Sequence, residues 1–452
     1  MRILSVVGAR PNFMKIAPVC RAVEAWNSGD GGGQVRNFGR GTSEPPCRIE
    51  HVLVHTGQHY DQRMSEAFFE ALGIPRPDVD LGIGSGTHAE QVGRTMIAFE
   101  KVVREQQPDW IVVVGDVNAT CACSITAKKE HVKLAHIEAG LRSFDLDMPE
   151  EINRMVTDRL ADLLFVTDEI AKRNLKAEGV SDDRIKLVGN VMIDTLLANK
   201  AAAEELDVGE IVASNRLAGD GEEGTVGPWD CGTVGQPDEG GGKSMVHSPL
   251  SIVPTPGGSA GETDVTQSHS HAITHSHPDA TPPGFAALTM HRPSNVDSKE
   301  VLGPIIDFLV EEVAREMPIV WPIHPRARKQ LEKFSLWEKV RGCPGMILLE
   351  PVGYHEMLKL NMSCRIMFTD SGGLQEECCV LGTPCLVLRW NTERPVTLDE
   401  HGGVGLLVGN DVDRIRTGYR RLKEQPRHPQ APPHWDGRTA ERIVKILAHP
   451  AS

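Results

Sequence analysis

Short apolar segments alternate with longer amphipathic segments along the first half of the chain. The apolar segments, in order, are ILSVV (3–7), HVLVHTG (51–57), WIVVVGD (110–116), LAHIEAG (134–140), LLFVTD (163–168) and IKLVGN (185–190). Between them the pattern predicts helices, one beginning at about Met14 and another covering Ser65 to Leu72. Short, nearly continuous apolar strands separated by helices are typical of a parallel sheet covered on both faces.

The same alternation begins again at Phe285. Its apolar segments are FAALTMH (285–291), PIVWPIH (318–324), MILLEP (346–351), CRIMFTD (364–370), PCLVLR (384–389) and GVGLLVG (403–409), with a helix predicted from Leu302 to Glu316. A chain of 452 residues is also longer than one hydrophobic core usually supports. We therefore predict an α/β protein with two Rossmann-like domains in tandem.

A segment rich in Gly, Pro, Ser, Asp and Glu lies between the two predicted domains. Such a composition buries too little apolar surface to offset its ordering entropy, so we expect a disordered insertion at the hinge over 201–283. A shorter Gly-rich interruption is predicted as a loop insertion at 27–49. The resulting division is an N-terminal domain at 1–200, a C-terminal domain at 284–428 and a C-terminal segment at 429–452.

Composition limits the compartment and the partners. The formal net charge of −14 argues against nucleic-acid binding. No apolar run approaches the roughly 20 residues of a membrane helix, and the N-terminal apolar stretch lacks a signal-peptide cleavage site. The ten cysteines form no CxxC pair and are typical of small core residues in a reducing compartment. We predict a cytoplasmic protein without a metal site, a membrane segment or a nucleic-acid partner.

The residues that follow each apolar segment are the candidates for function, because ligands of doubly wound sheets bind where loops leave the carboxyl ends of the strands. After the first strand, GARPNFMK places Arg10 and Lys15 on either side of a helix start, behind a glycine that permits a tight turn. This arrangement suits an anion-binding turn. It equally suits an ordinary strand-to-helix turn with two solvated cations.

Acidic residues follow the next strands of the first domain. GDVN ends one strand with Asp116, HIEAGLR ends another with Glu138, and PEEINR supplies Glu150 and Arg154. A carboxylate in such a loop is most often a helix cap or a surface group. Adjacent strand ends lie only about 5 Å apart, however, and neighbouring carboxylates raise one another's pKa. The predicted convergence of three acids therefore favours general acid–base chemistry.

Two histidines follow strands of the second domain. His291 comes directly after LTM and His324 directly after WPI, and each has an arginine within two residues. A single histidine is more often a structural group than a catalyst. Two such histidines at the same edge of a sheet favour a functional site.

The strongest single signal is TDSGGLQEE (369–377), between an apolar strand and a predicted helix. Backbone N–H groups of a Ser371-Gly372-Gly373 turn at a helix N-terminus can hold a diphosphate without a metal, and a carboxylate one turn into the helix can accept hydrogen bonds from ribose hydroxyls. The later loop RWNTERP adds Arg394 near the phosphates. No GxxxxGK[ST] motif occurs and no GxGxxG follows the first strand, so ATP and NAD are poor candidates and no cofactor is expected.

Together the motifs resemble those of the non-hydrolysing UDP-N-acetylglucosamine 2-epimerases. The resemblance covers Met1 to about Leu196 and Phe285 to the end, through GARPNFMK, HTGQHYD, GDVNAT, HIEAGLRSFD, MPEEINR, VGNVMID, HRPSNVD, HPRARK, TDSGGLQEE and NTERP in the same order. It implies a GT-B-like architecture, with the substrate in a cleft between the domains and a C-terminal helix that returns to the first domain. It also implies a homodimer and a place in surface polysaccharide synthesis or protein glycosylation.

The resemblance implies reversible conversion of UDP-N-acetylglucosamine to UDP-N-acetylmannosamine, by elimination of UDP to a 2-acetamidoglucal and re-addition of UDP. The implied catalytic residues are Asp116, Glu138, Glu150, His291 and Arg154. The implied UDP-sugar-binding residues are Arg10, Lys15, His324, Ser371, Gly372, Gly373, Glu377 and Arg394. His291 is expected to assist the leaving diphosphate, and the acid that removes the C2 proton is left unassigned.

Other functions are compatible with the same motifs. An epimerase of a UDP-2,3-diacetamido sugar has nearly the same motif set, and a hydrolysing 2-epimerase or a GT-B glycosyltransferase shares the nucleotide site. The clustered acids favour epimerisation over transfer, and their full retention argues against a sensor without activity. The resemblance also implies a second, regulatory substrate site that includes Gln58 and His59, although LGIGSG (81–86) lacks the arginine of that site.

Overall fold

The structure is a computed structural model that describes residues 1–8, 10–29, 47–57, 73, 76–217 and 284–449, with the backbone alone at residues 10 and 11. Two parallel sheets form within these residues, one in each half of the chain. The α/β fold with two Rossmann-like domains that the sequence predicts is therefore confirmed. No helix in this part of the chain combines the length and the apolar composition needed to cross a bilayer.

The first domain is built on a seven-stranded sheet. Its strands are β1 Arg2–Val7, β2 Glu50–His55, β3 Val79–Asp80, β4 Trp110–Val114, β5 Lys133–Ala139, β6 Leu163–Val166 and β7 Ile185–Leu187. Its helices are α1 Arg10–Ser28, α2 His88–Gln106, α3 Asn118–Lys129, α4 Pro149–Leu160, α5 Glu169–Ala177, α6 Val191–Glu204 and α7 Val208–Asn215, with a 3-10 turn at Asp182–Arg184. The strand order is β3-β2-β1-β4-β5-β6-β7, so the order reverses between β1 and β4.

The second domain is built on a six-stranded sheet. Its strands are β8 Ala286–Thr289, β9 Ile319–Pro322, β10 Met346–Leu349, β11 Ile366–Thr369, β12 Cys385–Val387 and β13 Gly405–Leu407. Its helices are α8 Pro293–Val296, α9 Lys299–Phe308, α10 Ala314–Glu316, α11 Pro325–Lys333, α12 Trp337–Arg341, α13 Tyr354–Ser363, α14 Gly372–Leu381, α15 Val412–Leu422 and α16 Thr439–Ala448. A π-helical turn at Leu309–Val313 joins α9 to α10, and 3-10 turns lie at Pro395–Thr397 and Asp399–His401. The strand order is β10-β9-β8-β11-β12-β13 and reverses between β8 and β11.

Burial on both faces explains the continuous apolar strands. In β1, Ile3 and Val7 pack into a core on one face of the sheet, whereas Leu4 and Val6 pack into a core on the other. Such strands need no polar alternation because helices cover both faces. The two reversal points of the strand order are the places where ligands of such sheets bind.

The predicted hinge insertion begins later than expected. Helix α6 continues through residue 204, and α7 buries Ile211 and Val212 in the core of the second domain. Arg216 then forms an antiparallel bridge with Leu349. The expected boundary at 201 is therefore wrong, because this stretch still has an apolar face to bury. Residues 218–283 lie outside the described residues.

The boundaries of the first helix and of the first loop insertion also differ from the predicted ones. Helix α1 begins at Arg10, earlier than the predicted start near Met14, and it continues through 27 and 28 of the predicted loop insertion. Most of that insertion, residues 30–46, lies outside the described residues, as does the helix predicted over Ser65 to Leu72. Pattern analysis did not predict α2, which a capping box between Thr87 and Glu90 begins.

The chain end returns to the first domain. Ala440 and Ile443 of α16 pack into the same core as Ile16 of α1. Asp194 of α6 caps the returning helix, because its carboxylate accepts the backbone N–H groups of Thr439 at 3.1 Å and Ala440 at 2.7 Å.

Candidate active site

A cavity of about 570 Å³ is lined by residues from both domains. The first domain contributes Met14, Lys15, Asp116, Met148, Glu150, Arg154 and Met192. The second contributes Arg292, His324, Val352, Gly353, Tyr354, Met357, Ser371, Gly372, Gly373, Leu374, Glu376, Glu377, Glu393 and Arg394. Most of the site residues predicted from the sequence therefore meet at one cavity, beside the points where the strand order of each sheet reverses.

Helix α4 holds the acid that follows β4. Arg154 is buried, and its guanidinium binds the carboxylate of Asp116 through Nη1. The same guanidinium binds Glu151 Oε2 through Nε at 2.9 Å and Nη2 at 2.6 Å. Asn153 Nδ2 donates to the backbone carbonyl of Asp116 at 2.8 Å. One helix thus fixes both the backbone and the side chain of Asp116.

Glu138 stands at an irregular point of the sheet. It lies where the pairing of β5 with β6 shifts register, and its φ is +70°. A left-handed backbone costs a non-glycine residue on the order of 1 kcal/mol, and such strain is concentrated at functional sites. The side chain is buried and binds Lys15 Nζ through Oε2. Lys15 lines the cavity, whereas Glu138 lies behind it, one ion pair away.

The third predicted acid has a different environment. Glu150 lies in the first turn of α4, is exposed to solvent and lines the cavity. An anion at this position complements the N-terminus of the helix. The sequence predicted three neighbouring carboxylates that raise one another's pKa. Instead, Asp116 and Glu138 each bind a cation, and Glu150 faces open space.

The two predicted histidines lie side by side. Their ring centroids are 5.3 Å apart. His291 Nδ1 is 2.9 Å from Asp370 Oδ1, and Asp370 Oδ2 accepts the backbone N–H groups of His291 and Arg292 at 2.9 and 2.8 Å. Burial alone raises the pKa of Asp370, but the hydrogen bond and charge of His291 outweigh it and lower that pKa. Burial lowers the pKa of His324, and the nearby His291 lowers it further.

The glycine-rich turn begins α14. Ser371 is its N-cap, and Gly372 has no room for a side chain, because an added Cβ would lie 2.7 Å from Arg394 Nη1 and 2.8 Å from Glu393 Oε1. Glycine therefore lets the backbone N–H groups of a helix N-terminus and the Arg394 guanidinium occupy the same small space. Such a pairing suits an anionic ligand.

Arg394 is buried within a chain of charges. Its Nε binds Glu376 Oε1 at 2.6 Å and its Nη1 binds Glu393, whose other oxygen accepts Arg389 Nη2 at 2.8 Å. Burial raises the pKa of Glu393, but the charges of Arg394 and Arg389 outweigh this effect and hold that pKa far below its ordinary range. The network fixes the guanidinium beside the turn.

The pKa values of two adjacent carboxyl groups, those of Glu376 and Glu377, are raised instead of lowered. Burial raises the pKa of Glu376 to about 7, despite the charge of Arg394, with a further contribution from Glu138. Burial also raises the pKa of Glu377 to about 7, although the neighbouring Tyr354 and Asn361 side chains act to lower it. Both side chains line the cavity. Carboxyls of this kind can exchange protons near neutral pH.

Sequence reasoning missed some members of this site and placed others beyond what the structure describes. Glu376, Glu393, Arg389 and Arg292 lie inside the quoted motifs, but the sequence does not predict them as site residues because their positions around the cavity depend on how whole elements pack. The side chain of Arg10, and Gln58 and His59 of the predicted regulatory site, lie outside the described residues.

The family model described as UDP-N-acetylglucosamine 2-epimerase matches residues 43–218 and 259–448. The chain belongs to this epimerase family. The UDP-N-acetylglucosamine 2-epimerase of Methanocaldococcus jannaschii is 33% identical over 450 residues, which cover 99% of each chain. The UDP-2,3-diacetamido-2,3-dideoxy-D-glucuronate 2-epimerase of Pseudomonas aeruginosa is 32% identical over 452 residues, again covering 99% of each.

The fold is shared with a solved member of the epimerase family. The crystal structure of the M. jannaschii UDP-GlcNAc 2-epimerase in complex with UDP-GlcNAc and UDP matches with a TM-score of 0.74, covering 99% of this chain and 100% of the other. The Neisseria meningitidis enzyme bound to UDP-GlcNAc has the same fold at 23% identity, with a TM-score of 0.71. The predicted GT-B-like, two-domain epimerase is confirmed at the level of family and fold.

Proposed function

We propose that this chain catalyses the reversible inversion of C2 in UDP-N-acetylglucosamine, giving UDP-N-acetylmannosamine. The observation that carries the proposal is one cavity in which Asp116 and Glu150 of the first domain meet the Ser371–Gly373 turn and Arg394 of the second. One wall has groups that can move protons, and the other has groups that bind a diphosphate. Relatives similar over nearly the whole chain are named for this reaction.

The proposed reaction balances without a co-reactant. A carboxylate removes the proton from C2 while the bond from C1 to the diphosphate oxygen breaks, and the electron pair forms a C1–C2 double bond. UDP leaves with the C1–O electrons. A carboxyl on the other face then returns a proton to C2, and UDP adds again to C1. Asp116, Glu138 and Glu150 are the proposed proton carriers, with no order assigned among them.

The second domain is proposed to stabilise the departing diphosphate. Because Asp370 holds His291 at Nδ1, the other ring nitrogen of His291 is free to serve the leaving group. The N-terminus of α14 and Arg394 supply further positive potential. Glu377 is proposed to accept hydrogen bonds from the ribose hydroxyls. Lys15, Arg10 and His324 complete the proposed binding set.

A second candidate substrate is a UDP-2,3-diacetamido sugar. The relative of P. aeruginosa named for such a sugar is as similar to this chain as the relatives named for UDP-N-acetylglucosamine. The chemistry at C1 and C2 is the same for both substrates. The choice therefore depends on how the cavity accommodates the substituents at C3 and C5.

The test is incubation of the purified protein with each UDP-sugar in deuterated water, followed by proton NMR of the sugar region. We expect UDP-N-acetylmannosamine that carries deuterium at C2. Release of free N-acetylmannosamine points instead to the hydrolysing branch. Turnover of the diacetamido sugar alone assigns the second candidate, and no turnover of either substrate contradicts the proposal.

We further propose a homodimeric, cytoplasmic enzyme that needs no bound cofactor, with a regulatory substrate site near Gln58 and His59. Free, mostly buried thiols at the described cysteines are compatible with a reducing compartment. Light scattering of the purified chain tests the dimer. A hyperbolic dependence of rate on substrate concentration, where activation requires a sigmoidal one, contradicts the regulatory site.

A further inference from the structure

A fully buried histidine behind the site faces two hydrogen-bond acceptors. His136 Nδ1 lies 2.6 Å from Asp158 Oδ1, and His136 Nε2 lies 2.9 Å from the backbone carbonyl oxygen of Gly115. A carbonyl can only accept, so Nε2 must carry a proton. A neutral imidazole has one N–H. Therefore either His136 is an imidazolium, or the proton between His136 and Asp158 belongs to the carboxyl group.

The surroundings of Asp158 place that proton on the ring. Asp158 Oδ2 forms an ion pair with Arg142 Nη1 at 2.7 Å and accepts the backbone N–H of Gly140 at 3.0 Å. The Arg142 cation and the Gly140 N–H group both favour the ionised form of this carboxyl, whatever the state of His136. A carboxyl group with these donors is ionised. His136 is then a donor at both nitrogens.

The local charges also balance when the ring is charged. Arg142 binds Glu178 through Nε at 2.7 Å and Nη2 at 2.8 Å, as well as Asp158. The two carboxylates, Asp158 and Glu178, are thus balanced by two positive charges, one on Arg142 and one on the His136 ring. A buried cluster is costly unless its charges are compensated and its hydrogen bonds are made. The imidazolium of His136 meets both conditions.

The carbonyl that His136 holds belongs to the residue before Asp116. Gly115 has a left-handed φ of +69°, and its N–H donates to Ile137 at 3.1 Å. An added Cβ there would lie 3.1 Å from Lys15 Nζ, so the peptide passes directly beside a proposed binding group. His136 therefore acts on the backbone segment that carries a proposed catalytic acid.

Helix α4 supplies the remaining supports of that segment. Asn153 holds the carbonyl of Asp116, Arg154 holds its carboxylate, and Asp158 holds His136. Arg154 and Asp158 are four residues apart and share a face of the helix, and Asn153 directly precedes Arg154. The orientation of Asp116 is consequently set from three directions by α4.

We propose that His136, held as an imidazolium between Asp158 and the Gly115 carbonyl, is a positioning residue that fixes Asp116 for the reaction. The proposal rests on the proposed function for its kinetic consequence, because Asp116 is the acid that it positions. The charge state of His136 is independent of that function. The two can therefore fail separately.

The charge state is tested by NMR of the wild-type protein with 15N-labelled histidine rings. At about pH 8, well above the ordinary histidine pKa of about 6.5, we expect one ring with protons on both nitrogens, and this signal is lost in His136→Gln. A His136 ring with one protonated and one bare nitrogen overturns the proposal. This outcome does not depend on turnover of any substrate.

The positioning role is tested by kinetics of His136→Gln and Asp158→Asn, with a matched control for the histidine variant. Because misplacing a catalytic group by about 1 Å can cost 100-fold, we expect kcat for C2 epimerisation to fall about 10- to 100-fold with KM nearly unchanged. His51→Gln is the control, since His51 is a histidine of the same sheet that binds Ser5 Oγ at 2.8 Å away from the cavity. Its kcat should stay within about twofold.

A double-mutant comparison separates positioning from general damage. If His136 acts through Asp116, then His136→Gln lowers the residual rate of Asp116→Asn by less than about threefold. A full, multiplied loss in the double variant overturns the proposal, and so does a single His136→Gln variant with wild-type kcat. If the wild type turns over neither UDP-sugar, the proposed function fails, and the NMR result still decides the state of His136.

Discussion

The carboxylates on the two sides of the cavity have different partners. In the first domain, Asp116 binds Arg154 and Glu138 binds Lys15. In the second domain, Glu377 is buried beside the neutral side chains of Tyr354 and Asn361, and its pKa is raised to about 7. A buried carboxylate with its own cation is compensated, whereas one with neutral partners is stabilised in its protonated form.

This difference teaches that the predicted proton carriers and the carboxyls with raised pKa are different groups. Glu376, across the cavity from the first-domain acids, also has a pKa of about 7, although it binds Arg394. Glu393 forms an ion pair with the same Arg394 guanidinium. Asp116 and Glu138 of the first domain thus each have a cation of their own, whereas Glu376 and Glu393 of the second domain both bind Arg394.

The largest effect, on kcat, is expected at Asp116, the proposed proton carrier that forms an ion pair with Arg154. Asp116→Asn should lower kcat about 10²- to 10⁴-fold, the usual contribution of a general acid or base, while UDP binding is retained. NMR of the sugar region gives the rate and calorimetry gives the UDP affinity. Asp109→Asn, at the other end of the same strand, is the control. A wild-type kcat in Asp116→Asn contradicts the assignment.

The next effect concerns the charges of the second domain. In Glu393→Gln, Arg389 and Arg394 lose a shared buried carboxylate, so we expect a loss of about 3–5 kcal/mol in the free energy of unfolding at neutral pH. Because the pKa of Glu393 is lowered in the fold, its stabilisation is present above the unfolded pKa and is lost as pH falls. The exposed Glu400→Gln serves as control.

Thermal unfolding at pH 7 and pH 4 measures this change. The melting temperatures of wild type and Glu393→Gln should differ most at pH 7, because the carboxylate is then ionised in both folded and unfolded chains. Equal melting temperatures at pH 7 would mean that the two arginines are compensated by other groups. The second domain would then resemble the first more closely than its contacts indicate.

Glu377 should show the opposite dependence on pH. Its pKa is raised from 4.5 to about 7, so the fold binds a proton that the unfolded chain has lost, and stability decreases as pH rises through this window. Glu377→Gln removes that dependence. Relative to wild type, the variant should gain about 2 kcal/mol of stability between pH 5 and pH 8. Melting curves at both pH values test the sign, and a constant difference between the two proteins contradicts it.

The sequence predicted the parts of this molecule that depend on local pattern. Continuous apolar strands gave both sheets, and the rule that ligands bind at strand ends brought Asp116, Arg154 and Arg394 to one cavity. The first part of the predicted hinge was wrong because composition was averaged over a long segment. The buried pair Ile211 and Val212 was hidden within it.

The electrostatic pairing could not be predicted in the same way. Lys15 and Glu138 are 123 residues apart, and Arg394 and Glu376 are 18 apart, so their contacts depend on how whole elements pack. The left-handed backbone of Glu138 is likewise a property of the register shift in β5. The sequence therefore identified which residues lie around the cavity, whereas only the structure shows which of them form ion pairs with one another.

The smallest effect is expected at a single hydrogen bond between the two domains beside the cavity. Asn391 Nδ2 of the second domain donates to Asp145 Oδ2 of the first at 3.2 Å. A hydrogen bond of this kind contributes about 1 kcal/mol, so Asn391→Ala should raise KM by no more than about fivefold and leave kcat unchanged. Asn215→Ala, which removes a hydrogen bond within α7 at 2.8 Å, is the matched control and should leave both constants unchanged. If Asn391→Ala lowers kcat instead, the contact orients the reacting groups, and the two walls of the cavity are coupled in chemistry and not only in binding.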